Sequence, residues 1–137
     1  MDIYLKQMEI GPMQNFQYFI GCAKTRQVAV VDPAWDIDRL VSEAESDELQ
    51  ILMILLTHGH PDHMEGAAGL SKRFDIPAYI SQDEAPFYMP HLQRLHHLSN
   101  GEKISIGKIT VECIATPGHT PGGMCFRAGD VLITGDT

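Results

Sequence analysis

The chain is organised around the stretch Ile51-Leu-Met-Ile-Leu-Leu-Thr-His-Gly-His-Pro-Asp-His63, in which six apolar residues run directly into a cluster of histidines. The six apolar residues, Ile51 to Leu56, are typical of a strand that is buried on both faces of a layered α/β sheet. The histidine cluster therefore leaves the carboxyl end of a buried strand, which is the edge where α/β sheets place their ligands. The sequence predicts an α/β protein with a functional site at this edge.

The residue types in the cluster indicate a metal site. His58 and His60 are two residues apart in an extended segment, so their side chains point the same way and can reach one ion together. Asp62 and His63 follow at the predicted start of a helix, where they project in a different direction that suits a second ion. Imidazole and carboxylate are ligand types that zinc accepts. A single loop histidine is usually a surface residue, but three histidines and a carboxylate within six residues gain nothing from core packing.

Two later segments carry further metal-competent residues. Thr116-Pro-Gly-His-Thr-Pro-Gly122 presents His119 between two Pro/Gly pairs, and Thr134-Gly-Asp-Thr137 contains Asp136. Each segment follows an apolar strand, although either one alone could be an ordinary turn. Because all three segments share this placement, we expect them to converge on one metal site.

The rest of the chain predicts one domain, 1–137, of mixed strands and helices. Residues 2–10, 16–23 and 27–31 predict a β-meander, and 37–44 predict a helix with Asp36 as its N-cap. A second helix is predicted from His63 to Phe74, followed by a short strand at 76–80. Residues 83–98 are interpreted as a loop with a short helix. Four more strands are predicted at 104–106, 109–114, 124–127 and 131–134.

Composition narrows the classes of partner. The net charge is −8 with no run of Lys or Arg, which argues against nucleic acid and anionic membrane and leaves a small-molecule substrate. Cys22, Cys113 and Cys125 stand singly in strand-like surroundings, so we expect reduced, buried thiols that pack strands. With no signal-peptide pattern at the start, a cytoplasmic location is expected.

The HxHxDH run, the TPGHTPG loop and the GDT ending resemble the metallo-β-lactamase superfamily, and its glyoxalase II-like branch (hydroxyacylglutathione hydrolases and relatives) in particular. The opening is also similar, from Gly11-Pro12 to the Val-Val-Asp-Pro run that ends at Pro33. The resemblance implies an αββα sandwich, of which this chain covers the N-terminal half and the start of the second sheet. The C-terminal part of such a fold, which supplies another histidine, is expected to be missing here.

The resemblance also implies roles for individual residues. His58, His60 and His119 would hold a first zinc ion, Asp62 and His63 a second, and Asp136 would bridge the two. A metal-bound hydroxide would then cleave an activated acyl bond, such as the thioester of an acyl-glutathione. Asp62 would be the catalytic residue that orients the nucleophile or receives its proton, and Asp32 would support the site by hydrogen bonds.

Two alternatives remain open from the sequence. Iron-dependent persulfide dioxygenases share the motif, and in that reading His58, His119 and Asp136 would hold a single iron. A non-catalytic binding module would be expected to carry broken ligand positions, and none is broken in this chain. His91, His96 and His97 are interpreted as surface or substrate-channel residues. Without the missing part, apolar strand faces would be exposed, so association into a homo-oligomer is expected.

Overall fold

The computed structural model describes residues 3–9, 16–33, 37–57, 61–81, 95–116 and 124–134, with residues 9 and 61–66 described by their backbone alone. These residues form two β-sheets and two helices. The predicted N-cap Asp36 and most of the 83–98 segment lie outside the described residues.

The first sheet has six strands in the order of the chain. They are β1 (Ile3–Glu9), β2 (Phe16–Cys22), β3 (Gln27–Val31), β4 (Gln50–Leu55), β5 (Ala78–Ser81) and β6 (Leu95–Leu98). Strands β1, β2 and β3 pair antiparallel, which confirms the predicted meander. Strands β3 to β6 pair parallel, so the carboxyl ends of β4, β5 and β6 lie at one edge of the sheet.

Two of the connections between the parallel strands contain a helix. Helix α1 (Ile37–Ser46) joins β3 to β4, and helix α2 (Pro61–Phe74) joins β4 to β5. Leu40, Val41 and Ala44 form the buried face of α1, at the spacing expected for one side of a helix. Helix α2 begins two residues before the predicted start at His63. No helix among the described residues is long and apolar enough to cross a membrane.

The C-terminal end of α1 is held to the meander by a polar network. The Tyr4 hydroxyl donates a hydrogen bond to the Asp47 carboxylate just after the helix. Lys6 Nζ lies 2.6 Å from Glu43 Oε2 and 3.1 Å from Asp47 Oδ2. The guanidinium of Arg26 donates to the Asp47 carbonyl and lies over the Tyr4 ring. This network therefore stabilises the packing of α1 on the first sheet.

The second sheet has four antiparallel strands and lies against the other face of the first sheet. Its order is β10-β9-β8-β7, with bounds β7 (Lys103–Ile106), β8 (Ile109–Ala115), β9 (Met124–Ala128) and β10 (Val131–Ile133). A core between the sheets includes Val31, Leu55, Val111 and Phe126. The predicted α/β sandwich is confirmed as one helix layer and two sheets, and it covers part of a complete αββα arrangement.

One secondary-structure prediction was wrong. Residues 95–98, interpreted as part of a loop with a short helix, form the parallel strand β6, in which His96 pairs with Tyr79 of β5. His96 and His97 are both exposed on this edge strand. Because the two central residues are polar, the segment lacks the apolar alternation by which a strand is recognised. Pairing with β5, a long-range contact, makes it a strand.

Candidate metal centre

The six predicted ligands lie at or next to the ends of described elements. Asp62 and His63 lie in the first turn of α2, described by its backbone. His58, His60, His119 and Asp136 lie outside the described residues. The described residues that lie just before these ligands in the sequence are Thr57, Thr116 and Thr134.

The residue before His58 is held by a buried carboxylate. Thr57 and Asp32 are 1% and 2% exposed. Asp32 Oδ1 accepts a hydrogen bond of 2.8 Å from the Thr57 backbone N–H, and Asp32 Oδ2 accepts one of 2.6 Å from the Thr57 hydroxyl. Asp32 itself has φ 55°, a left-handed conformation that Asp tolerates better than most residues. Asp32, which we predicted to support the metal site, therefore fixes Thr57, the residue before the HGHPDH segment, and its support of the ligands themselves stays a prediction.

A backbone hydrogen bond joins the two sheets at the same place. The N–H of Met124, the first residue of β9, donates to the Thr57 carbonyl over 2.7 Å. Met124 follows the segment that carries His119, and Thr57 precedes His58. The bond therefore joins the residue before the HGHPDH segment to a residue that follows the His119 segment in the sequence.

The ends of β8 and β10 meet at the next residue of β9. Cys125 Sγ lies 3.4 Å from Thr116 Oγ1, just beyond β8, and 3.8 Å from the carbonyl oxygen of Thr134, just beyond β10. Thr116 precedes the His119 loop, and Thr134 precedes the segment with Asp136. Two consecutive residues, Met124 and Cys125, thus contact Thr57, Thr116 and Thr134, which are the described residues nearest in sequence to the candidate ligands His58, His119 and Asp136.

The donor chemistry of the six predicted ligands fits a divalent metal. They offer four imidazoles and two carboxylates, and these are the groups that zinc binds most often in hydrolytic sites. Among the side chains that the structure describes, which do not include these six, no group of three or more His, Cys, Asp or Glu is placed to hold a metal.

The remaining described histidines, His96 and His97, lie on β6, the edge strand of the first sheet. His96 stacks on the ring of Tyr79 with 4.8 Å between ring centroids. Strand β5 separates β6 from β4, the strand that leads into the HGHPDH segment. His91 lies outside the described residues.

Sequence reasoning missed the role of β9 in this arrangement. Met124 received no role from the sequence, and Cys125 was expected only to pack strands. The structure confirms that Cys22, Cys113 and Cys125 are free and buried, but Cys125 also contacts residues at two strand ends. The only available signal was that Cys125 follows the Pro/Gly-rich loop closely, which does not reveal the long-range contacts.

Comparison with known proteins gives one family and a set of relatives. The family described as the metallo-beta-lactamase superfamily matches residues 10–137. A probable polyketide biosynthesis zinc-dependent hydrolase of Bacillus subtilis is 35% identical over 90% of this chain and 55% of its own length. A probable hydroxyacylglutathione hydrolase of Schizosaccharomyces pombe is 33% identical over 95% of this chain and 51% of its own length. The chain spans about half the length of these relatives.

Solved structures share the fold. A metallo-beta-lactamase from Staphylococcus aureus superposes with a TM-score of 0.82 at 26% identity, over 93% of this chain and 39% of that one. A protein called TTHA1623, in a di-iron-bound form, superposes with a TM-score of 0.76 at 24% identity, over 89% of this chain and 66% of that one.

Proposed function

The chain belongs to the metallo-beta-lactamase superfamily, and from that premise we propose that it forms the metal-binding part of a hydrolase that cleaves an activated acyl bond. The proposed substrate class is a thioester, such as an acyl-glutathione. One observation carries the proposal: Met124 and Cys125 contact the residues that adjoin all three predicted ligand segments, Thr57, Thr116 and Thr134. Residues that adjoin three ligand segments far apart in sequence thus meet at one place in the fold, which supports the proposal.

The proposed ligand set divides the six residues between two zinc ions. His58, His60 and His119 hold the first, Asp62 and His63 hold the second, and Asp136 belongs to both. The name of the Bacillus subtilis relative as a zinc-dependent hydrolase supports zinc. Any further ligand in the full-length protein would complete the second ion's coordination.

Zinc, when bound, lowers the pKa of a water molecule to about 7 and polarises a carbonyl oxygen. The chain itself holds the ligands rigidly and transfers one proton from the attacking water. Asp62, at the start of α2, orients the attacking water and accepts its proton. The oxygen of this water adds to the acyl carbon, the carbon–sulfur bond breaks, and Asp62 returns the proton to the departing sulfur, so the products are a carboxylic acid and a thiol.

The net charge of −8 with no run of Lys or Arg supports only the broader proposal, a small-molecule substrate in place of a polyanion. The thioester itself is supported by the name of one relative. A relative named as a probable hydroxyacylglutathione hydrolase matches nearly the whole of this chain.

The experiment compares metal content and reactivity in the full-length protein. Elemental analysis of the purified protein should find zinc, and thioester cleavage should proceed without oxygen uptake. His58→Ala should strip most of the metal, because each histidine supplies a direct bond to an ion with few ligands. Asp62→Asn should reduce kcat by about 100-fold or more while retaining most of the metal at the first site.

His97→Ala is the matched control, because His97 is an exposed histidine on β6. It should change neither metal content nor rate. Unchanged metal in His58→Ala would contradict the ligand set. Oxygen consumption with glutathione persulfide, without thioester cleavage, would move the assignment to an iron dioxygenase.

A further inference from the structure

Cys125 is buried although its side chain lies on the face of the second sheet that is turned away from the first sheet. Its neighbours on β9, Met124 and Phe126, both point into the core between the two sheets. Side chains alternate along a strand, so Cys125 points the other way. Arg127, two residues on, shares that outer face and is exposed. Cys125 is nevertheless only 3% exposed.

The contacts of the thiol explain part of this burial and assign its proton. A thiol has one S–H group to donate, and its sulfur is a weak acceptor. The Thr134 carbonyl, 3.8 Å from Sγ, can only accept, so the S–H points there. The Thr116 hydroxyl, 3.4 Å away, then donates to the sulfur. Cys125 therefore links the hydroxyl of Thr116 to the backbone of Thr134.

The two partners lie very close to the proposed ligands along the chain. Thr116 precedes His119 by three residues, and Thr134 precedes Asp136 by two. Fully extended chain spans at most about 3.6 Å per residue, so the Cα atom of His119 lies within about 11 Å of that of Thr116, and the Cα atom of Asp136 within about 7 Å of that of Thr134. Metal ligands must lie within about 0.2 Å of their ideal distances. A displacement of either threonine is therefore expected to disturb the coordination of a bound metal.

We propose that Cys125 is a positioning residue of the metal centre, which sets the segment with His119 relative to the segment with Asp136. The proposal rests on the proposed function in that it takes His119 and Asp136 as metal ligands. Cys125 itself does not touch the metal or the substrate. It acts through Thr116 and Thr134, while its neighbour Met124 holds the Thr57 carbonyl at the third segment.

The competing explanation is that Cys125 merely fills space, and the chain offers a matched control for it. Cys113 is another buried cysteine of the same sheet, on the neighbouring strand β8, and is 0% exposed. Its side chain packs in the core between the sheets. Truncating either cysteine to alanine removes one sulfur atom from a buried site, so the cost in packing should be similar.

The test measures metal affinity in the full-length protein, independently of turnover. Zinc is removed, and the dissociation constants for Zn²⁺ and Co²⁺ are determined by competition with a chromophoric chelator. Cys125→Ala should weaken binding by about tenfold or more, whereas Cys113→Ala should stay within about threefold of the wild type. The visible spectrum of bound Co²⁺, which reports ligand geometry, should change in Cys125→Ala only. Equal affinities and identical spectra in the two variants would overturn the proposal.

A second pair of variants keeps the test decisive if Cys125→Ala does not fold. Thr116→Val keeps the shape of the side chain but removes the hydroxyl that donates to the sulfur, and Thr116→Ser keeps the hydroxyl. Weaker Co²⁺ binding in Thr116→Val, with near wild-type binding in Thr116→Ser, supports the proposal. Equal binding by both overturns it.

The outcome is separable from that of the proposed function. A wild-type protein that binds zinc but cleaves no thioester refutes the function and leaves the positioning role to be judged by the affinities. A wild-type protein that cleaves thioesters while Cys125→Ala and Cys113→Ala bind metal equally refutes the positioning role alone. A wild-type protein that binds no metal refutes both.

Discussion

Replacing Asp32 by glycine removes the carboxylate that holds Thr57 in front of the HGHPDH segment. Two hydrogen bonds to a charged group are lost, at 2.8 Å and 2.6 Å, and each contributes about 1.5–3 kcal/mol. Glycine accepts the φ of 55° at this position, so backbone strain does not add to the effect. The expected loss is about 3–6 kcal/mol in the free energy of unfolding, a large part of the 5–15 kcal/mol typical of a domain.

The assay is urea unfolding of the full-length protein after metal removal, because bound metal would add its own stabilisation. Asp32→Asn should cost less, about 1–2 kcal/mol, because the amide keeps the shape and neutral hydrogen bonds are weaker. Asp38→Asn is the control, because Asp38 pairs with Arg73 on the surface and its side chain is 90% exposed. That substitution should cost less than about 1 kcal/mol. A loss below about 1 kcal/mol for Asp32→Gly, or equal losses for Asp32→Gly and Asp38→Asn, would refute the reasoning.

Two further predictions concern a turn and the network at the end of α1. Gly107→Ala should destabilise the protein more than Gly101→Ala. Both residues have positive φ, but a Cβ at Gly107 would clash with Thr25 Oγ1 and lie 2.7 Å from the Cβ of Cys22, while one at Gly101 meets nothing within 4 Å. Equal urea midpoints for the two variants would contradict this. The hydrogen bond from Tyr4 to Asp47 holds the pKa of that carboxyl below its usual range. The stability that it contributes should be complete above the unfolded pKa of about 3.9 and lost as the pH falls through the lower folded value. The stability difference between wild type and Asp47→Asn should therefore shrink from pH 7 to pH 3, and a difference that is constant with pH would be evidence against it.

Most of the fold could be predicted from local patterns. The continuous apolar run before Thr57 indicated a strand buried on both faces, and the structure places β4 between two parallel neighbours. The helical spacing of Leu40, Val41 and Ala44 predicted the buried face of α1. These features can be predicted because burial of one face of a helix or strand makes apolar residues recur at a regular spacing along the sequence.

Strand β6 could not be predicted from such a pattern. Its central residues, His96 and His97, are exposed and polar, so no period marks them as a strand. They adopt a strand because the backbone of β5 offers a free edge for pairing. The pairing partner of His96 is Tyr79, about 17 residues earlier in the chain, so the sequence of residues 95–98 does not by itself indicate a strand.

The sequence alone indicated the chemistry of the candidate site, because imidazoles and carboxylates clustered after apolar strands are typical of a metal site whatever the detailed packing. Only the tertiary structure decided which of the residues next to the three candidate ligand segments contact one another. The bond from Met124 to Thr57 and the contacts of Cys125 with Thr116 and Thr134 join residues from different strands and both sheets. Such contacts depend on how the sheets pack, and a linear pattern of residue types records which groups are present but not which strand ends meet.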